Sequence, residues 1–597
     1  MRFSHVRNRI LRWGRRGAHS NSDDIADDDR ARVMGLNPTR IPSGRQWRLI
    51  PEFLSPSERR WIRGFITAAV ISFVTLLIGI GMQFMARVPQ AGGTVTIGLV
   101  GSPQFINPIL ARDGTIDADL TKLMFRGLVR IDENLLPVPD LAESITLSED
   151  RTQYTVTLRP NLYWSDDEPL TADDVKFTID TIKDAEFASP HRALFTSATV
   201  EVTDDRTVVF TLEKPLAAFG TYLELGILPR HVWSDATPQT MALAELNVKP
   251  INNGPYKFLS VTKDRSGAVR QMTFVRNKSA AIQPYLQKLN IKFYAERTAA
   301  IDALRTDAID IFGGLTPDEV SALPKKIVRT TTPISQLTAV FINQRDNPVL
   351  RAKEVRRALA MTVDRQGLIE ASLPGLADVL QGPVLPGYPG FLSDLTIPPL
   401  DPVAANAALE EAGWKRNDAG IRQKGATQFV FAVTAPDDPV YRVVAESLAE
   451  GWRTLGAGVE VKLIDPSRIQ RDTIKPRDYE ILLFGQIHDT DGDLYPFWHS
   501  SQQRDPGYNL SLFFNKQLDT DLEDARTTDS LDKRIADYQS FQRIVADEIP
   551  AIFLYQHRYV QGHRSSVKIP QAKQLVSPSD RFLLTANWYT RTKISWR

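Results

Sequence analysis

Residues Gly64–Ala86 (GFITAAVISFVTLLIGIGMQFMA) form an uncharged run of more than 20 residues in a chain of 597 in which 24% are charged. A bilayer core about 30 Å thick is crossed by about 20 apolar residues in helical form, and the run meets that length. Its flanks are asymmetric. Before it stand 14 arginines against 7 acidic residues, whereas after it only Arg87 appears before Arg112. Basic excess marks the cytoplasmic side, so the sequence predicts a cytoplasmic N-terminus and a large extracytoplasmic domain, held to the cell membrane by a single pass.

Two other readings compete. A cleaved secretory signal has an apolar stretch of about 7–15 residues behind a short basic region. Here the stretch is longer, the leader exceeds 60 residues, and the segment around Val88-Pro89-Gln90-Ala91 is only a weak cleavage site. A buried core helix would carry an apolar and a polar face, and the run shows none. The uncleaved anchor is the reading preferred.

The near-neutral total charge hides a split. Beyond Ala86 the chain carries 58 basic against 64 acidic residues, so the exported part has no excess of positive charge for nucleic acid. Cysteine is absent. That excludes disulfides, thiolate nucleophiles, zinc–cysteine sites and a lipid-modified cysteine, so another device must hold the protein at the membrane.

Residues 1–63, with the run Asn21–Arg30 (NSDDIADDDR), read as a disordered Arg-rich cytoplasmic tail, and 64–86 as the transmembrane helix. From Gly93 the pattern is mixed α and β. Strands are expected at Thr94–Val100, Gln153–Leu158, Val208–Leu212, Gln428–Thr434, Val459–Ile464 and Tyr479–Phe484. Helices are expected at Thr115–Leu128, Thr171–Asp184, Tyr441–Leu455 and Leu518–Arg526. Thr171 and Thr316 each open a capping box, and Asp401-Pro402 starts a helix that stops before Gly413. Strands alternating with helices predict an α/β fold with a sheet covered by helices.

Catalytic signatures are missing: no G-x-S-x-G elbow, no H-E-x-x-H, no phosphate-binding loop and no dinucleotide fingerprint. The expectation is no enzyme, no cofactor and no metal. The most unusual stretch is Leu483–Ser500 (LFGQIHDTDGDLYPFWHS). A buried-looking strand runs into Asp489, Asp491 and Asp493, then into Tyr495, Phe497 and Trp498. A calcium loop fits poorly because glycine and the distal glutamate are misplaced. Two readings stay open. One is a solvated acidic turn followed by core aromatics; the other is a carboxylate at a strand end facing a cleft, with aromatic walls, suited to a ligand bearing an ammonium group.

From Gly93 onward the chain resembles the family 5 extracellular solute-binding proteins, the peptide-binding receptors of bacterial ABC importers. Pro103–Pro108 (PQFINP) looks like the family's opening turn. The stretch Asp119–Val129, followed by Pro137–Ala142 (PVPDLA), is similar to its next signature. Tyr154–Trp164 (YTVTLRPNLYW) and Leu170–Phe177 (LTADDVKF) strongly resemble a further block. Asn253–Phe258 (NGPYKF), Phe341–Asn343, Val355–Arg365 (VRRALAMTVDR) and Asp401–Gly413 follow in the family's order.

The resemblance implies a two-lobed periplasmic-binding-protein-like fold with an extra domain, the three-domain class II arrangement. Lobe one would span 93–330, with an inserted domain near 114–247 and completion by 565–597; lobe two would span 331–564. It also implies capture of a peptide or other small solute between the lobes and delivery to an ABC permease by a monomer. A receptor or scaffold without transport is the alternative. One aspartate of the acidic segment would pair with the peptide ammonium. Asp489, Asp491 and Asp493 are the candidates, with Tyr495 and Trp498 beside them and Asp491 favoured. Leu494 stands where the family usually carries proline.

Overall fold

The computed structural model describes residues 55–132, 135–528 and 530–596. The tail expected over 1–63 lies outside them as far as residue 54. The described chain divides into two units. The first holds residues 55–88 with 594–596; the second is Pro89–Lys593.

In the first unit one helix, Pro56–Phe84, runs for 29 residues. At about 1.5 Å per residue it extends roughly 43 Å. It starts eight residues before the apolar run because Ser55 builds an N-terminal box there. The Ser55 N–H donates to Glu58 Oε2 at 2.9 Å, the Glu58 N–H donates back to Ser55 Oγ at 3.3 Å, and Pro56 occupies the first turn. Trp61, Phe65, Ile71, Phe73 and Leu76 are all exposed, so apolar side chains point outward on every side. Among the described residues this is the one helix long and apolar enough to cross a membrane.

The second unit is built on an 11-stranded mixed sheet. Its strand order is Gly458–Ile464, Val430–Pro436, Ile481–Ile487, Ile327–Ile342, Ala551–Arg564, Ile311–Gly313, Thr94–Val100, Lys288–Tyr294, Val269–Arg276 and Tyr256–Lys263, with Ala377–Val379 paired off this path to Ala551–Arg564. Two long antiparallel strands cross the middle of the sheet. Ile327–Ile342 pairs along its length with Ala551–Arg564, from Ile327 opposite Arg564 to Phe341 opposite Ala551, with a break in register between Pro333 and Leu337. On one side of that break lie the pairings to Ile311–Gly313; on the other, Gln336–Ile342 pairs with Ile481–Ile487. A proline cannot donate to the ladder, so Pro333 marks where the ladder yields.

A separate four-stranded antiparallel sheet, Ala142–Leu147, Gln153–Leu158, Thr207–Leu212 and Ala198–Asp204, packs under the helix Ala172–Lys183. That helix opens where the capping box predicts, and Val175, Ile179 and Ile182 are all buried. Each such burial is worth about 1.5–3 kcal/mol. Val567, Phe582 and Trp588, near the C-terminus, join the same apolar cluster as Val95 and Ile97.

One helix is shorter than expected. Thr115 caps Ile116–Met124, and the chain is extended from Phe125. The cause is close backbone packing at Gly127, where a Cβ would lie 2.4 Å from the Glu224 carbonyl group, while the N–H of Leu128 donates to Leu223 O at 2.9 Å. No side chain fits there, and a helix would carry the N–H away from its partner.

Candidate functional site

The acidic segment follows the central strand Ile481–Ile487 and is tied to the break in the crossing strands. The His488 N–H donates to Ser335 O at 2.8 Å. The Tyr388 hydroxyl lies 2.7 Å from Ser335 Oγ and donates to the Asp489 carbonyl oxygen at 3.0 Å. Gly492 then turns the chain at φ +65°, and a Cβ there would lie 2.5 Å from the Tyr388 ring. Both the left-handed backbone and the space require glycine.

The three aspartates have different surroundings. Asp493 is buried: Oδ1 accepts the Tyr495 N–H at 3.0 Å and Oδ2 lies 3.2 Å from Arg526 Nε. Asp491 is buried as well. Its Oδ1 accepts the Asp493 N–H at 3.1 Å, and its Oδ2 lies 3.5 Å from Arg534, which also donates to the Asp491 carbonyl oxygen at 2.8 Å. Asp489 is exposed, and among the described residues no cation sits within ion-pair distance of it. It faces a cleft whose other wall comes from far upstream: Asp113, Lys122, His191, Tyr222 and Glu224.

Electrostatics follow from this geometry. The Asp489 carboxyl is open to water but ringed by protein, and loss of hydration pushes it up to about 6, with Asp113, Glu224 and Asp493 adding repulsion. Burial pushes Asp491 up to about 7, with Asp493 adding to the rise and Arg534 opposing it. Burial also raises Asp493, against the pull of Arg526. Across the cleft Lys122 is held 2.8 Å from Glu224 and 3.3 Å from Asp580, so its charge is already matched. Burial raises Glu224 despite Lys122. The Tyr222 phenol is raised by burial and then by the three aspartates. A site that makes its carboxylates costly to ionise favours a cation arriving from outside.

The aromatic residues divide. Tyr495 is half-buried, stacked on His499 at 4.1 Å and covered by the Arg526 guanidinium at 4.5 Å. Trp498 is 1% exposed and packs among Phe341, Phe541 and Phe553, inside the core rather than on the cleft. The structure therefore brings Asp489 to the cleft and puts Asp491, the residue favoured from sequence, against Arg534. Sequence reasoning missed Asp113, Lys122, Tyr222 and Glu224, which carry no local motif.

Residues 137–506 match the family model described as bacterial extracellular solute-binding proteins, family 5 middle. The oligopeptide-binding protein AppA of Bacillus subtilis is 26% identical over 477 residues, covering 78% of this chain and 87% of that protein. Protein XP55 of Streptomyces lividans is 28% identical over 486 residues, covering 80% and 86%. The crystal structure of the ABC transporter substrate binding protein CtaP of Listeria monocytogenes matches with a TM-score of 0.72 at 26% identity, over 84% of this chain and 100% of that one.

Proposed function

The chain belongs to the bacterial extracellular solute-binding proteins of family 5, and from that premise we propose that it captures peptides by their α-ammonium group and delivers them to an ABC permease while anchored in the membrane. The family consists of binding proteins, not enzymes. The observation that carries the ligand class is Asp489: a carboxylate without a cation partner, beside Asp113 and Glu224, at the mouth between two walls of the cleft. An ammonium placed there neutralises a charge that the fold leaves unmatched. The relative named as oligopeptide-binding supports the same ligand class. The 29-residue helix supports anchoring.

Closure is the mechanism. On this reading two lobes share the two long crossing strands, and the register break near Pro333–Leu337 is the place to bend. A ligand touching both walls favours the closed state by its differential contacts. Backbone hydrogen bonds along the cleft give affinity that ignores side-chain identity.

Mass spectrometry of what co-purifies with the protein identifies the ligand. Calorimetry then compares that peptide with its N-acetylated form. Loss of at least two orders of magnitude on acetylation is expected, together with compaction in small-angle scattering on binding the free peptide. Equal binding of the two forms would sink the ammonium reading.

A further inference from the structure

The second unit is acidic overall, yet the surface where its chain begins is basic. Lys257, Arg276 and Lys278 line a depression beside Ala91 and Gly92, and Asp167 is the acid that shares it. Asp167 is engaged by Ser279 Oγ at 2.7 Å. The Arg591 guanidinium packs over Gly92, where a Cβ would lie 3.2 Å from Nη1. Lys593 follows two residues later. Lys278, Arg591 and Lys593 are exposed and the other two partly so. Lys257 Nζ donates to Ser165 O at 3.4 Å and Arg276 Nε to Gln283 Oε1 at 2.9 Å, both neutral partners. No ion pair to any of these five cations is found among the described residues. Elsewhere on this unit lysines and arginines are repeatedly matched to carboxylates, as at Lys122, Arg297, Arg422 and Arg581.

The tether says what covers this face. The chain leaves the apolar helix at Phe84 and reaches Gly92 eight residues later, a span of at most about 28 Å when fully extended.

We infer that the face formed by Lys257, Arg276, Lys278, Arg591 and Lys593 docks on the anionic phospholipid headgroups of the extracytoplasmic leaflet. This rests on the anchor reading above. Unmatched cations repel one another and gain from a surface of negative charge within a Debye length. The consequence is a tethered unit held with one end on the leaflet, so that the anchor limits its tumbling as well as its distance from the membrane.

The full-length chain is reconstituted in nanodiscs of neutral phosphatidylcholine, or with about 30% phosphatidylglycerol, and its lysines are labelled with an amine reagent. Lys257, Lys278 and Lys593 should react at least about fivefold more slowly in anionic discs at about 50 mM salt, and recover at about 500 mM. Exposed Lys475, on the opposite half of the sheet, should react alike in both. A variant carrying Lys257→Gln, Arg276→Gln and Lys278→Gln should return Lys593 to its neutral-disc rate, with an unchanged melting temperature as control for folding. A chain retained in the discs whose labelling is the same in both lipids, or whose protection ignores salt, overturns the docking and leaves the anchor standing. A chain that does not remain with neutral discs overturns both.

Discussion

Asp493 Oδ2 lies 3.2 Å from Arg526 Nε, and the same guanidinium lies 4.5 Å from the Tyr495 ring. The N–H of Ala217, next to the four-stranded sheet, donates to the Arg526 carbonyl oxygen at 3.1 Å. Arg526 thus occupies Asp493 while its backbone holds the segment that follows the four-stranded sheet. With Arg534 beside Asp491, two of three neighbouring carboxylates are paired within the protein and one faces the cleft.

Replacing Asp489 by Asn should weaken peptide binding by at least about 100-fold, since removing one partner of a desolvated charge pair costs about 3–5 kcal/mol. N-acetylation of the peptide should add almost nothing in that variant, because both changes delete one interaction. Calorimetry on the four combinations measures the coupling. Additive losses would place the ammonium elsewhere.

Affinity should fall in acid. Asp489 stands at about 6 in the unliganded fold, above its ordinary value of 3.8. Near pH 5 only about a tenth of it is ionised, so binding should be roughly tenfold weaker than at pH 7.5. The sign for stability is opposite. The folded, unliganded protein holds this proton more tightly than the unfolded chain, so the group's contribution declines as pH rises from about 4 to about 6. In Asp489→Asn the affinity change should flatten; a profile identical to the parent would assign the titration to another group.

Arg526→Met should lower the melting temperature by leaving buried Asp493 without its ion-pair partner. The Arg526 side chain is about a third exposed, so the loss is expected near 1–3 kcal/mol rather than the full cost of a deeply buried pair. Arg526→Lys should recover part of it. Peptide affinity, measured well below the melting temperature, should move by less than about threefold. A large affinity loss with unchanged stability would make Arg526 a ligand contact.

The intact protein should sediment with membranes at full length and leave its C-terminal unit open to external protease. A shorter chain recovered in solution and beginning near Gly92 would identify the apolar helix as a cleaved signal. Three leucine-to-arginine or isoleucine-to-arginine changes in the helix, at Ile71, Leu76 and Ile80, should abolish membrane retention, as each charge costs about 2.5–3.5 kcal/mol near the bilayer centre.

Much of this molecule was legible residue by residue. The strand Thr94–Val100 and the helix starts at Thr171, Thr316 and Asp401 lie where the sequence puts them, because a capping box or an alternating strand is made by neighbours in the chain. The apolar run was legible for a similar reason: length and the absence of charge are local properties. Composition alone also excluded disulfides and thiol chemistry. Tertiary structure decided what depends on distant partners. Asp489, Asp491 and Asp493 are nearly equivalent as sequence, and only Arg526, Arg534 and the wall bearing Asp113 and Glu224 make them different. Trp498 reads equally as cleft wall or core until Phe341, Phe541 and Phe553 close around it. A charge is assigned by whatever the fold brings within a few ångströms, and those neighbours come from parts of the chain tens to hundreds of residues away.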